Sequence, residues 1–64
     1  MNFKEVSKEK FEEVIGKIPH NRSVSIDDGT VWYEAKKGLF RNSGFAYKSD
    51  GKYFVYYSFI KEPQ

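Results

Sequence analysis

Asp50-Gly51 lies between two runs, 40–48 and 52–60, that both carry aromatic side chains. Asp and Gly tolerate positive φ, and a two-residue turn of this type closes a β-hairpin. Pairing outward sets Lys48 opposite Tyr53, Tyr47 opposite Phe54, Ala46 opposite Val55 and Phe45 opposite Tyr56. Side chains alternate across a strand. One face then holds Phe45, Tyr47, Phe54 and Tyr56, and the other holds Gly44, Ala46, Lys48, Tyr53, Val55, Tyr57 and Phe59. Both faces are apolar. Such a hairpin needs cover on two sides, or it leaves one aromatic side for a partner. Gly44 predicts a bulge in the first of the two strands.

The cover available within the chain is a single helix. Ser7 is a good N-cap, Val6 and Phe11 occupy the two positions of a hydrophobic staple, and Phe11, Val14, Ile15 and Ile18 share one helical face. Gly16 and Pro19 predict the stop, which gives a helix over about residues 7–17. His20-Asn21-Arg22 reads as a connector, and the lone His20 as a solvated loop residue. From Ser23 the period changes to two. Asp28-Gly29 predicts a second two-residue hairpin joining strands 23–27 and 30–36. In that register Val24, Ile26, Val31 and Tyr33 share a face, with Trp32 among the polar residues of the other. The expected fold is α+β: one N-terminal helix on a four-stranded antiparallel sheet built from two Asp-Gly hairpins, with strands near 23–27, 30–36, 40–48 and 52–60. The final strand is expected to be two-faced or at an edge, and helix cover is expected on the side of Val55, Tyr57 and Phe59. That leaves Phe45, Tyr47, Phe54 and Tyr56 partly open.

At 64 residues the chain makes one small domain, residues 1–64, and such a domain buries only about 60% of its unfolded surface. Five Tyr, six Phe and one Trp are too heavy an aromatic load for disorder, which is expected only at residues 1–2 and 62–64. With no Cys, disulfides, thiolate nucleophiles and thiolate metal sites are excluded, and a reducing cytoplasm is the expected setting. No apolar run approaches a membrane span and the first residues are too charged for a signal peptide, so no membrane partner is expected.

No chemistry-bearing motif stands out. His20 has no metal-ligand spacing around it. The five glycines are dispersed at expected turns and caps rather than in a phosphate loop. Asp27-Asp28 is turn chemistry, and the helix glutamates form a solvated face. No catalytic residue, cofactor site or metal site is expected, and the chain reads as non-enzymatic. Charge is uneven, however. Residues 1–35 hold five basic and seven acidic side chains, whereas residues 36–61 hold six basic ones against Asp50 alone.

Tyr, Trp, Phe and Arg concentrate at the centres of protein contact surfaces. The expected partner-binding residues are therefore Trp32, Lys36, Lys37, Arg41, Phe45, Tyr47, Phe54 and Tyr56. The basic turn 36–41 is expected to steer an acidic protein partner, and a homodimer is a second way to bury the surplus rings. Trp32 serves either as an anchor in such a contact or as a flap at the helix–sheet margin. The alternative is single-stranded nucleic acid bound through the basic, aromatic residues 36–61. In size and amino-acid usage alone, the chain resembles small phage-encoded proteins that occlude or bridge a host enzyme or defence complex. That resemblance implies an inhibitor and assigns no residue a role.

Overall fold

The computed structural model describes residues 2–60, which form one helix and a five-stranded antiparallel sheet. The elements are β1 (Phe3–Val6), α1 (Lys8–Lys17), β2 (His20–Val24), β3 (Val31–Ala35), β4 (Gly44–Ser49) and β5 (Lys52–Tyr56), followed by a 3-10 turn (Tyr57–Phe59). Strand order is β1-β5-β4-β3-β2. The first two strands are therefore the two edges, and α1 crosses one face of the sheet between them. Lys61 and the termini expected to be disordered at Met1 and residues 62–64 fall outside the described residues.

Ser7 caps α1 as its sequence predicts: its hydroxyl accepts from the Lys10 N–H at 3.1 Å. Phe11 and Val14 are buried against the sheet, while Glu13 pairs with Lys17 at 3.2 Å on the solvent side. Gly16 is not the cap. It lies within the last turn with open space around it, and the helix ends at the extended residue Ile18, before Pro19.

The sheet has five strands rather than four because Phe3–Val6 pairs with β5, setting Phe3 opposite Tyr56 and Val6 opposite Tyr53. The pairing is extended by Asn2, whose carbonyl accepts from the Tyr57 N–H at 2.7 Å. β5 is thus an interior strand, and the expected edge over residues 53–60 does not exist. It stops at Tyr56, where the chain coils into the 3-10 turn. His20, Asn21 and Arg22 are strand residues, not a connector. The His20 ring is half-buried, with Nδ1 donating to the Ile18 carbonyl at 2.8 Å and the ring in a T-shaped contact with Tyr33 at 5.3 Å.

Six residues, 25–30, separate the two strands around Asp28-Gly29; the Ser25 N–H donates to the Thr30 carbonyl at 2.8 Å, which leaves a turn of four residues, not two. Val24 pairs with Val31, Ser23 with Trp32 and Arg22 with Tyr33. Asp28 keeps a negative φ and only Gly29, at +76°, turns left-handed. The Asp28 carboxylate accepts from the Thr30 N–H at 3.0 Å, which closes the wider loop. Each β3 partner moves by two residues, so the faces of Val24, Val31 and Tyr33 are preserved. Ile26, however, leaves the sheet and is 98% exposed. At Asp50-Gly51 both residues have positive φ, 55° and 73°, and β4 pairs with β5 through Ala46–Val55, Tyr47–Phe54 and Lys48–Tyr53.

Tyr33 faces Ala46 while Glu34 faces Gly44, so Phe45 is an extra residue in β4. This is a bulge, and it changes which way the strand points its side chains. Phe45 and Ala46 are both completely buried in the core with Phe11, Val14, Tyr33, Ala35 and Val55. Gly44 is turned to the opposite face, against the Trp32 ring.

Candidate interface on the helix-free face

Strand alternation assigns Phe3 and Glu5, Phe54 and Tyr56, Tyr47, Trp32 and Glu34 to the face away from α1. The aromatic geometry agrees. Phe3 meets Trp32, Tyr47 and Tyr56 edge-on at centroid distances of 5.9, 5.1 and 5.7 Å. Trp32 tilts on Tyr47 at 4.6 Å, and Tyr47 stacks on Phe54 at 4.7 Å with 15° between planes. The offset and edge-to-face arrangements are the favourable ones for rings. All five residues are half-buried. Their neighbours shield their edges, but no second layer of the described structure lies over them, because Phe11 of the helix packs on Tyr33 and Tyr53 of the other face.

At one end of this platform, Tyr47, Ser49, Asp50, Lys52 and Phe54 line an open depression of about 520 Å³. At the other end the cluster continues around the sheet. Phe40 packs on Tyr56 at 5.1 Å and on Phe59 at 5.0 Å, and Phe59 reaches the buried Phe45 at 5.3 Å.

Of the residues expected to bind a partner, Trp32, Tyr47, Phe54 and Tyr56 are brought together here. Phe45 is not among them: the bulge sends it into the core, where it is 0% exposed. Nor is Trp32 a flap at the helix margin, since it lies on the side the helix does not touch. Lys36, Lys37 and Arg41 are exposed on the loop between β3 and β4, beyond the end of the platform. The helix-side margin expected to include Tyr57 leaves that residue 44% exposed. Phe3 is the member the sequence pattern missed. Phe3-Lys4-Glu5-Val6 does not alternate in polarity, so it carries no local strand signal, and its strand partner lies some fifty residues away.

Charge and rings separate in the fold. Alternation places Lys48 on the helix side, opposite Val31 and Tyr53. Among the described strand residues of the platform, Lys52 is the only cation, against Glu5 and Glu34. Asp28, at the far loop, has its carboxyl held below the ordinary value of 3.8, chiefly by the Thr30 N–H it accepts from. Glu13 is held below 4.5 chiefly by its hydrogen bond from Lys17. Neither belongs to the platform. No group of three or more metal-binding side chains occurs among the described residues, and no helix of theirs is long and apolar enough to cross a membrane. No protein-family model, curated protein or solved structure matches this chain.

Proposed function

We propose that this chain is a non-enzymatic protein-binding module that docks through the platform of Phe3, Trp32, Tyr47, Phe54 and Tyr56. The observation that carries this reading is a contiguous set of five rings, of which Phe3, Trp32, Tyr47 and Phe54 pack sideways on one another while Tyr56 leads on to Phe40 and Phe59. Rings of this kind bring a large apolar area to a contact with few torsions to freeze. The occupant is a protein surface, a second copy of the chain included. A two-fold pair would lay platform on platform. Resemblance in size and composition to phage-encoded inhibitors suggests a host enzyme or defence complex as the larger partner, in a reducing cytoplasm.

Single-stranded nucleic acid is the weaker alternative. Its binders set cations beside their stacking rings, whereas this platform bears one lysine and two glutamates.

The test compares the native chain with Tyr47→Ser/Phe54→Ser. Sedimentation over a wide concentration range reports self-docking, and affinity capture from host cells reports a larger partner. Either self-association or one stoichiometric partner is expected, and the double variant should lose it. A chain that remains monomeric and captures nothing dependent on Tyr47 and Phe54 contradicts the proposal. Titration of labelled oligonucleotides at two salt concentrations separates the alternative, because phosphate contacts weaken steeply with salt.

A further inference from the structure

Leu39 is 97% exposed, and nothing in the core explains it. It lies on the loop between β3 and β4, which is held in shape by its own backbone. The Asn42 N–H donates to Ala35 at 2.8 Å, the Ser43 N–H to Phe40 at 2.9 Å and the Arg41 N–H to Gly38 at 3.1 Å. Gly38 and Asn42 adopt the left-handed turn conformation, with φ of 87° and 67°. Phe40 is the inward anchor, packed on Tyr56 and Phe59. The leucine therefore cannot hide by a small loop movement without breaking these bonds. Around it, Lys36, Lys37 and Arg41 are all exposed. Among the described residues the salt bridges join only Lys10 and Lys17 to Glu13, so these three cations are unpaired. The 3-10 turn packed on Phe40 adds Tyr57, 44% exposed.

An aliphatic tip and three cations on one tied-down loop form a combination that suits one environment, and the 3-10 turn beside Phe40 also exposes a tyrosine. Apolar groups enter the boundary of a lipid bilayer, tyrosine favours the headgroup level, and cations are drawn to anionic headgroups. The tip projects from the fold, whereas a groove binder would be concave. We propose that the loop 36–41 docks the protein peripherally on an anionic lipid surface, with Leu39 entering the interface and Lys36, Lys37 and Arg41 contacting headgroups. The contact is reversible and weak, because a single short loop supplies it. It concerns attachment to a surface, not a span, and is independent of the occupant of the aromatic platform. The charges adjoin the leucine in sequence, but its full exposure and the anchoring of the loop emerge only in the fold.

The experiment is co-sedimentation of the full chain with phosphatidylcholine vesicles, with and without phosphatidylserine. Poly-L-glutamate serves as a soluble acidic polypeptide. Binding is expected to the phosphatidylserine vesicles and to weaken with salt. Each cation replaced by alanine should lower partitioning about fivefold, and Leu39→Ala should lower it roughly tenfold. These positions are exposed, so circular dichroism should show the variants folded. Tyr47→Ser/Phe54→Ser should bind vesicles unchanged, which separates this contact from that of the platform. Equal binding to both vesicle types, indifference to Leu39→Ala, or binding to poly-L-glutamate as strong as to the vesicles would overturn the proposal. The last result would assign the loop to an acidic protein.

Discussion

On the helix side of the sheet, Phe45, Ala46 and Val55 are 0% exposed under Phe11 and Val14. On the other side, Phe3, Trp32, Tyr47, Phe54 and Tyr56 pack on one another and all remain half-buried. Both sides are aromatic, yet they are buried by different means. A second layer removes water from the outer surface of a ring, whereas lateral packing removes it only from the edges. One ten-residue helix supplies a layer for one side. The remaining side is built of the residues that dominate protein contacts.

The largest expected effect contrasts the two sides directly. Phe45→Ala should cost about 3–5 kcal/mol, the range for a buried phenylalanine. Tyr47→Ala should cost about 1–2 kcal/mol, since it loses aromatic pairs but little enclosed volume. Urea unfolding measures both, and equal costs would break the contrast. Next is Gly44→Ala. Its new Cβ would stand 3.0 Å from Trp32 Cε3, so the indole must shift. A loss of about 1 kcal/mol is expected, with a change in Trp32 emission; unchanged emission would mean the indole is not seated on Gly44. Gly16→Ala sharpens the comparison from the helix side, because it strengthens the covering layer while touching neither face. It meets open space and should stabilise the fold by about 0.5–1 kcal/mol.

The smallest effect is acid dependence. The folded Asp28 carboxyl lies below 3.8, chiefly through the Thr30 N–H. A depressed folded value means its contribution is complete above the unfolded value. It is lost as pH falls below 3.8 and through the lower folded value. The melting temperature should therefore fall with acidification in that window, through Asp28 and through Glu13, whose carboxyl is also depressed. Asp28→Asn should flatten part of the decline, and an identical profile would remove Asp28 from it.

What could be read from the chain was local. Ser7 and the Phe11/Val14 spacing mark the helix, and counting outward from Asp50-Gly51 reaches the Ala46–Val55 and Tyr47–Phe54 pairs that the structure contains. Two errors came from features with no local signature. β1 forms only because distant β5 offers it an edge, and four residues before a helix with no alternation of polarity do not announce that pairing. The bulge depends on the match between β3 and β4 across a long loop, and a one-residue insertion moves a side chain to the other face. Gly44 signalled that a bulge was available, but not that Phe45 would be the residue turned inward. At Asp28-Gly29 the dipeptide marked the turn correctly in place and wrongly in length. The Asp28 side chain supplied the closing hydrogen bond, so a second left-handed residue was unnecessary. The platform was legible in Trp32, Tyr47, Phe54 and Tyr56. Its shortage of cations was not, because the strand lysines are sorted between faces only once register is set.

Hydroxyl-radical footprinting of the dilute, monomeric native chain tests the openness of the platform most directly. Labelling of Trp32, Tyr47 and Phe54 is expected, with Phe11, Tyr33 and Phe45 protected, and the platform labels should fade when the chain docks. Protection of Trp32, Tyr47 and Phe54 equal to that of Phe45 in the isolated monomer would contradict an open aromatic face.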